Sequence, residues 1–512
     1  MSIVRHPETS DLRREITLRM TRATADGLAL HMRKDRRKEQ MAFGLATQTV
    51  TEEGILFLMD HLFIPDVGDL ADQTIAGVCP ERLFLGIVYM MAQQFNRSIV
   101  DIHTHPGSGR PRFSSTDKQF GIQNAEYIAN HFPDPITLLM VVGNNRFDTF
   151  DGMVFDRHRR EFTPLARWET LGRPSTIFVF GRDAAAPVNT PTALFDRQRR
   201  IPGWNQEGLE LQRIGILGVG GNGAPLVQLL AGIGAGRQGF IAIADPDRIE
   251  PSNLPRIPYA CEEHVGASKV TVAADYIHRK SPGTSVFPFA KRFNDAAVLQ
   301  RMKMATVLFY CGDNHGGRKE ANDLAVRYGI PMIDLGCDIQ VSKENVVAGG
   351  QVRLVLPGET ACLVCCGGFD PAQAAIDQMS EAARAEHASQ GYVVGADAEA
   401  TPSVANLNGF TVQYAVSQFL ALVNGPQFAQ WDYLNFDQFT GRTIPARTTW
   451  DSECPHCGLT GCRMAGDPAE RKISPQTTIR PWGDHTQHEH PEGVAPARRT
   501  SRRKWWKRPK KT

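Results

Sequence analysis

Between residues 12 and 34 the apolar positions Ile16, Leu18, Met20, Leu28, Leu30 and Met32 are separated by charged residues, a spacing read as one helix. Short, nearly continuous apolar runs follow: GILFLMDHLFI from Gly54, ITLLMVV from Ile136 and DGMVF from Asp151. Runs this short read as strands rather than helices, so the first third of the chain predicts a small α+β domain ending near residue 165. The Ala-, Pro- and Thr-rich stretch at 181–192 reads as a linker. From Leu211 the texture changes. RIGILGVGG, IAIADPD, VLFYCGD and PMIDLGC are runs of buried-strand type separated by helical stretches. Strands that alternate with helices predict a doubly wound, Rossmann-like α/β sheet, which reaches about residue 460. The predicted organisation is therefore an α+β domain over 1–170, a linker over 171–193, an α/β domain over 194–462 and a disordered tail over 463–512.

Composition narrows this little. Hydrophobic residues make up 42% and charged residues 22% of the 512, a globular balance that excludes a mostly disordered or fibrous chain. The longest apolar stretch, Leu83 to Ala92, is broken by Gly86 and falls short of the ~18 residues a membrane span needs. The opening residues have no apolar signal core, so a cytoplasmic location is expected. Charge is more informative. The net charge is +2, yet residues 498–512 carry nine basic side chains and no acid, which leaves the remainder mildly acidic. Like-charge repulsion predicts a disordered, solvated tail; such a tail could touch nucleic acid or anionic membrane, but the favoured reading is no specific partner, with neither membrane nor nucleic acid expected.

Two constellations carry chemistry. In the first, His103 and His105 stand two apart, so on a strand their imidazoles share one face. Asp117 lies twelve residues beyond His105, in a run Ser114–Asp117 that reads as a helix start with a hydroxyl cap and an acid in the first turn. Two histidines, one carboxylate and an open position are the ligand set of a catalytic zinc. Glu39, placed at the end of the first helix, is the candidate general base. Taken together, Glu39, His103, His105, Pro106, Ser114 and Asp117 resemble the signature of the JAMM/MPN (JAB-type) metallopeptidases, which act on ubiquitin and ubiquitin-like proteins. The resemblance implies that His103, His105 and Asp117 bind zinc, that Glu39 is the acid–base, and that Ser114 helps hold the oxyanion.

The second constellation begins with GVGGNG at 218–223, after a strand and before a predicted helix. Glycines there let the backbone approach a phosphate at the helix N-terminus. Alone, this pattern most often signals dinucleotide binding. Here it is followed by ADPDRIEPSNLPR, then Gly266–Lys269, then Asp313–Asn314, with Arg197–Gln198 upstream. This order resembles the adenylating family of ThiF, MoeB and ubiquitin-activating enzymes, over about residues 194–460. By that resemblance Gly218, Gly220, Gly221 and Gly223 form the ATP loop and Asp245 holds the ribose. Asn253, Arg256 and Lys269 would contact phosphates, Asp313 would position magnesium, and Arg197 would reach a neighbouring subunit's ATP in a homodimer.

Two C-x-x-C pairs, Cys362/Cys365 and Cys454/Cys457, read as a four-sulfur structural zinc site, with Cys366 able to replace Cys365. Relatives that form a thioester carry a cysteine after the first pair. Here none occurs between Cys366 and Cys454, so the acyl-adenylate is expected to be released or to pass to a thiol elsewhere, with Cys337 and Cys366 as the candidates. The combined expectation is a bifunctional enzyme of a bacterial ubiquitin-like or sulfur-carrier pathway. One half would cleave an amide after the C-terminal glycine of a small protein. The other would adenylate that protein's C-terminus with ATP and magnesium, for a separate conjugating enzyme or for sulfur transfer in cofactor or siderophore synthesis. A non-catalytic module that binds the small protein is the alternative of a different class.

Overall fold

A computed structural model describes residues 15–51, 53–107, 110–132, 135–143, 150–156, 159–179, 194–342, 345–380, 382–383 and 402–468. The first region contains β1 (Glu15–Thr21), α1 (Arg22–Met32), β2 (Met41–Val50), β3 (Gly54–Phe63), β4 (Leu70–Gln73), β5 (Val78–Pro80) and α2 (Arg82–Gln94). It continues through β6 (Ser98–His105), α3 (Ser115–His131), β7 (Thr137–Gly143), β8 (Phe150–Asp156), β9 (Glu161–Pro164), β10 (Arg167–Leu171) and β11 (Thr176–Val179). Apart from the β4–β5 hairpin, these strands make one nine-stranded sheet in the order β11-β10-β1-β3-β2-β6-β7-β8-β9.

Three expectations are corrected here. The segment read as a single helix is a strand followed by a helix. Ile16, Leu18 and Met20 alternate with period two and are fully buried on one face of β1, while the helix begins only at Arg22, with Thr21 as its cap. Glu39 accordingly lies in the loop before β2, not at a helix end. Residues 171–179, assigned to the linker, include β11, which pairs antiparallel with β10, and the rest of that linker, 180–193, lies outside the described residues. The tail does not start at 463: Met464 is fully buried, and its carbonyl accepts Thr47 Oγ1 of β2 at 2.9 Å. Residues 469–512 lie outside the described residues.

The second region contains α4 (Asp196–Arg199), α5 (Gln206–Glu210), β12 (Arg213–Leu217), α6 (Gly223–Ile233), β13 (Phe240–Ala244), α7 (Lys269–Lys280), β14 (Val286–Phe289), α8 (Ala296–Met302), β15 (Val307–Tyr310) and α9 (His315–Tyr328). Then come β16 (Met332–Val341), β17 (Val346–Val355), α10 (Pro371–Asp377), α11 (Ala405–Asn424), β18 (Tyr433–Asp437) and β19 (Thr443–Ala446). The sheet order is β14-β13-β12-β15-β16-β17-β18-β19, parallel from β14 to β16 and antiparallel thereafter. The parallel strands are covered on both faces, which is why their sequences read as unbroken apolar runs. No helix among the described residues is long and apolar enough to cross a membrane.

The two sheets share a core. Along β3, Ile55, Phe57 and Met59 pack inside the first region, whereas Leu56 and Leu58 join a cluster with Met302, Leu324, Val326 and Met464 of the second. Polar groups cross the same junction. Arg213 of β12 grips both oxygens of Glu15 at 2.6 and 2.7 Å, Arg173 pairs with Asp432 at 2.7 Å, and the fully buried Arg19, paired with Glu169 on its own sheet at 2.8 Å, donates across to the Ala305 carbonyl at 2.9 Å. Burial alone would raise the Glu169 carboxyl, but Arg19, Arg167 and Arg213 outweigh it and hold it at about 2. A buried ion pair is weak evidence for stability on its own. The apolar contacts of Leu56 and Leu58, each worth about 1.5–3 kcal/mol, are the firmer bond between the halves.

Candidate functional site

The H-x-H strand is β6, and its last residues sit beside the start of α3. His103 and His105 face the same way, with ring centres 5.1 Å apart. Ser114 caps α3: its Oγ accepts the Asp117 N–H at 3.1 Å, and an Asp117 oxygen accepts the Ser114 N–H at 2.6 Å. This reciprocal cap turns the Asp117 carboxylate toward the strand, 3.2 Å from His105 Nε2 and 3.7 Å from His103 Nε2. Ligand atoms of all three residues lie within 4.8 Å of one another. His103 Nε2 is buried and makes no hydrogen bond. A buried imidazole nitrogen left unpaired among a second imidazole and a carboxylate fits a divalent cation of the zinc type.

Glu39 completes the group, with its carboxylate 3.9 Å from His105 Nε2. The β4–β5 hairpin fixes its backbone: Glu39 N–H donates to Thr74 at 2.9 Å, and Gln73 Nε2 donates to the Glu39 carbonyl at 2.8 Å. Nothing in the sequence around 70–80 signalled this support. Burial raises the Glu39 carboxyl, against the pull of His103 and His105. Asp117 is also partly buried, yet the two histidines and the Ser114 N–H hold it well below the usual carboxylate range. The two acids are thus driven apart, one toward holding a proton and one toward staying ionised.

The second site lies at the carboxyl ends of β12, β13 and β15, which run parallel and bring their loops together. Gly218 has φ of +94°, open to glycine at little cost, and a side chain on Gly223 would collide with the Gly218 carbonyl. Asp245 is buried, and its two oxygens accept the N–H groups of Val219 at 2.8 Å and Asp247 at 2.9 Å. It therefore fixes the glycine loop itself, a task the sequence reading did not give it. Lys269 opens α7, and its Nζ donates to Asp247 at 2.8 Å, so lysine and loop meet at one place. Asn253 is buried on the turn Pro251–Arg256, and Arg256 is half-buried at the end of that turn. Asp313 is exposed just before α9. Gly218, Gly220, Gly221, Gly223, Asp245, Lys269 and Asp313 thus share one sheet edge.

Arg197 does not join them. It is exposed on α4, and the neighbouring Gln198 donates to Ile233 at the C-terminal end of α6. The glycine loop is at the other end of that helix, about 16 Å away for eleven residues. Three side chains that the sequence reading did not place together also meet at the loop. Asn408 of α11 donates to Asn222 Oδ1 at 2.9 Å and to Cys337 Sγ at 3.1 Å, and it packs over Gly221. Burial raises the Cys337 thiol, partly offset by these amides.

The four cysteines of the two C-x-x-C pairs come together as expected. Their sulfurs lie within 4.8 Å of one another, with contacts of 3.7 Å for Cys362–Cys365, 3.8 Å for Cys362–Cys454 and 3.3 Å for Cys365–Cys457. Sulfurs bound at about 2.3 Å around a tetrahedral zinc would be about 3.8 Å apart, so the residues fit such an ion. Cys366 is exposed and points at the Leu363 carbonyl, which settles the choice between it and Cys365. His456 pairs with Asp323 at 2.6 Å and stands outside the cluster.

Comparison with known proteins places the second region. The ThiF family matches residues 195–458, more than half of the chain. The SAMP-activating enzyme E1 of Haloferax volcanii is 33% identical over 121 residues, 24% of this chain and 44% of that protein. The pig adenylyltransferase and sulfurtransferase MOCS3 is 31% identical over 169 residues, 32% of this chain and 36% of that protein. The chain thus spans less than half of the length of either relative. Among solved structures, Escherichia coli MccB with MccA-N7isoASN is similar at 22% identity and a TM-score of 0.39, covering 49% of this chain and 69% of that one. With the glycine loop, Asp245, Lys269 and Asp313 gathered at one sheet edge and the match running from residue 195 to 458, the chain belongs to the ThiF family.

Proposed function

We propose that the chain adenylates the C-terminal carboxylate of a small sulfur-carrier or ubiquitin-like protein. The observation that carries this reading is the ThiF-family match over the region whose sheet edge gathers Gly218–Gly223, Asp245, Lys269 and Asp313. In the reaction a carboxylate oxygen attacks the α-phosphorus of ATP, and the bond to the β-phosphate oxygen breaks, releasing pyrophosphate with that electron pair. Such transfers depend on positioning and charge neutralisation. Asp245 holds the glycine loop in shape, while Lys269, Arg256 and Asn253 supply donors to the phosphates. Magnesium, placed by Asp313, supplies further neutralisation when bound. Arg197, exposed and a helix length from its own loop, serves the ATP of a second copy in a homodimer. Without a cysteine between Cys366 and Cys454, the acyl-adenylate goes to an external sulfur or amine nucleophile. The sulfur-carrier reading draws support from the relative described as a sulfurtransferase. The test is ATP–pyrophosphate exchange. It is expected to require a small protein or peptide ending in glycine with a free carboxylate, and to vanish when that carboxylate is amidated. Exchange without any carboxylate substrate, or none with it, would refute the reading.

A second activity is favoured by the unpaired, buried His103 Nε2 beside His105, Asp117 and Glu39. We assign this group to a zinc-dependent peptidase of JAMM/MPN type, occupying the first region and acting on an amide after the tail of the same small protein. His103, His105 and Asp117 would hold a zinc ion, which would supply Lewis acidity at a scissile carbonyl. Glu39 then carries the proton between water and the leaving amine, and Ser114 keeps its hydroxyl proton for the oxyanion. Glu39→Gln in the full chain is expected to keep its metal while hydrolysis of a glycine-terminated amide falls about 10²-fold or more. A variant as active as the wild type would remove Glu39 from this role.

A further inference from the structure

We propose that Arg19, a residue of the first region, is a positioning residue for the adenylation site of the second; the proposal rests on the adenylation reading above. Arg19 lies on β1 and is fully buried. Its Nε donates to Glu169 at 2.8 Å, on its own sheet. The rest of the guanidinium reaches across the junction. Nη1 donates to the carbonyls of Lys303 and Tyr328, each at 3.1 Å, and Nη2 donates to the Ala305 carbonyl at 2.9 Å. Lys303 is the cap residue of α8, Ala305 lies just beyond it, and Tyr328 is the last residue of α9. The final carbonyls of a helix have no partner within the helix and carry its negative end. One cation from the first sheet thus closes two helix ends of the second.

The other end of α9 is at the ATP site. Asp313 immediately precedes its cap residue Asn314. In the second turn, Arg318 donates to Asp334 at 3.0 Å and to the carbonyls of Asp313 and Gly312, each at 3.4 Å. A single helix therefore has Arg19 at its last residue and the backbone of Asp313 gripped near its first. Between them, Ala321, Leu324, Ala325 and Val326 are buried in the shared core, so the helix moves as a packed body rather than bending locally. A shift at its Tyr328 end reaches the placement of Asp313. Lysine at 19 keeps the charge beside Glu169 but lacks the planar fork that spans three carbonyls.

The test uses the full-length chain. Arg19→Lys is compared with Arg173→Lys, which alters a buried ion pair across the same junction, that with Asp432, away from α9. Both are expected to lower the thermal midpoint. Only Arg19→Lys is expected to raise the magnesium concentration and the KM for ATP at half-maximal exchange, by about fivefold or more, with kcat at saturation within about twofold. Unchanged magnesium and ATP dependence in Arg19→Lys, or an equal shift in Arg173→Lys, overturns the proposal. If Arg19→Lys does not fold, Glu169→Gln, which keeps the guanidinium but frees it from its ion pair, is read in the same way. If the wild type exchanges no pyrophosphate, the adenylation reading fails, and magnesium-dependent ATP binding by calorimetry then decides on Arg19 alone. A chain that binds no ATP overturns both.

Discussion

Replacing Cys457 with serine is expected to lower the thermal midpoint of the chain by more than about 10 °C, with loss of one metal ion per chain. Cys362, Cys454 and Cys457 are buried, and all four sulfurs lie within 4.8 Å of one another, close enough to share one tetrahedral zinc. Four thiols held this close, and not paired as disulfides, repel one another once ionised unless a cation is shared. Contact with Cys457 pushes the Cys362 thiol down, and Cys457 is itself pushed up. Structural zinc contributes folding energy directly, on the order of 10 kcal/mol in small domains, so losing even half of that outweighs most single substitutions. At a few degrees per kcal/mol for a domain of this size, the shift is well outside calorimetric error. Metal analysis and calorimetry on the same sample decide the matter. A serine variant that keeps both its metal and its midpoint would show that the sulfurs do not hold the ion.

Lys269→Ala is expected to reduce ATP–pyrophosphate exchange by about 10² to 10³, the usual loss when one donor to a developing negative charge is removed. Stability should hardly change. The Lys269 partner Asp247 is 63% exposed at its side chain, and a pair of that kind is worth about 0–1 kcal/mol. The same ion pair is broken by Asp247→Asn, which leaves the lysine charge available to phosphate and should therefore keep most of the exchange activity. Equal losses in both variants would mean that the pair matters for shape rather than for charge at the nucleotide.

How much of this was legible depends on whether one stretch of chain held the whole signal. The parallel strands β12, β13, β15 and β16 were readable because burial on both faces leaves an apolar run, and Gly218 and Gly312 mark the turns after β12 and β15. The H-x-H strand and the Ser114–Asp117 cap were readable for the same local reason, as period two and a capping box need no distant partner. β1 was misread because its charged residues look solvent-facing, whereas Arg19 is buried against helix ends some three hundred residues away. Nothing near Arg19 in sequence carries that information. The support of Glu39 by Gln73 and Thr74, and of the glycine loop by Asn408, is likewise made of single side chains brought in by the fold. The Cys365-or-Cys366 choice depended on which thiol faces inward, which adjacent positions in a tight turn cannot reveal.

The strand β3 sets a limit on how freely this protein can be taken apart. It is a party wall, with Ile55, Phe57 and Met59 belonging to one room and Leu56 and Leu58 to the other. Cutting the chain between the two regions would leave the first with two leucines facing water beside an Arg19 that keeps Glu169 but loses its three carbonyl acceptors. Such a face invites self-association, and a fragment that carries it would be a poor stand-in for the domain in the intact protein. Anyone transplanting that region into another scaffold would need to redesign the outward face of β3 first, with polar residues at 56 and 58 and new acceptors for the free side of the Arg19 guanidinium.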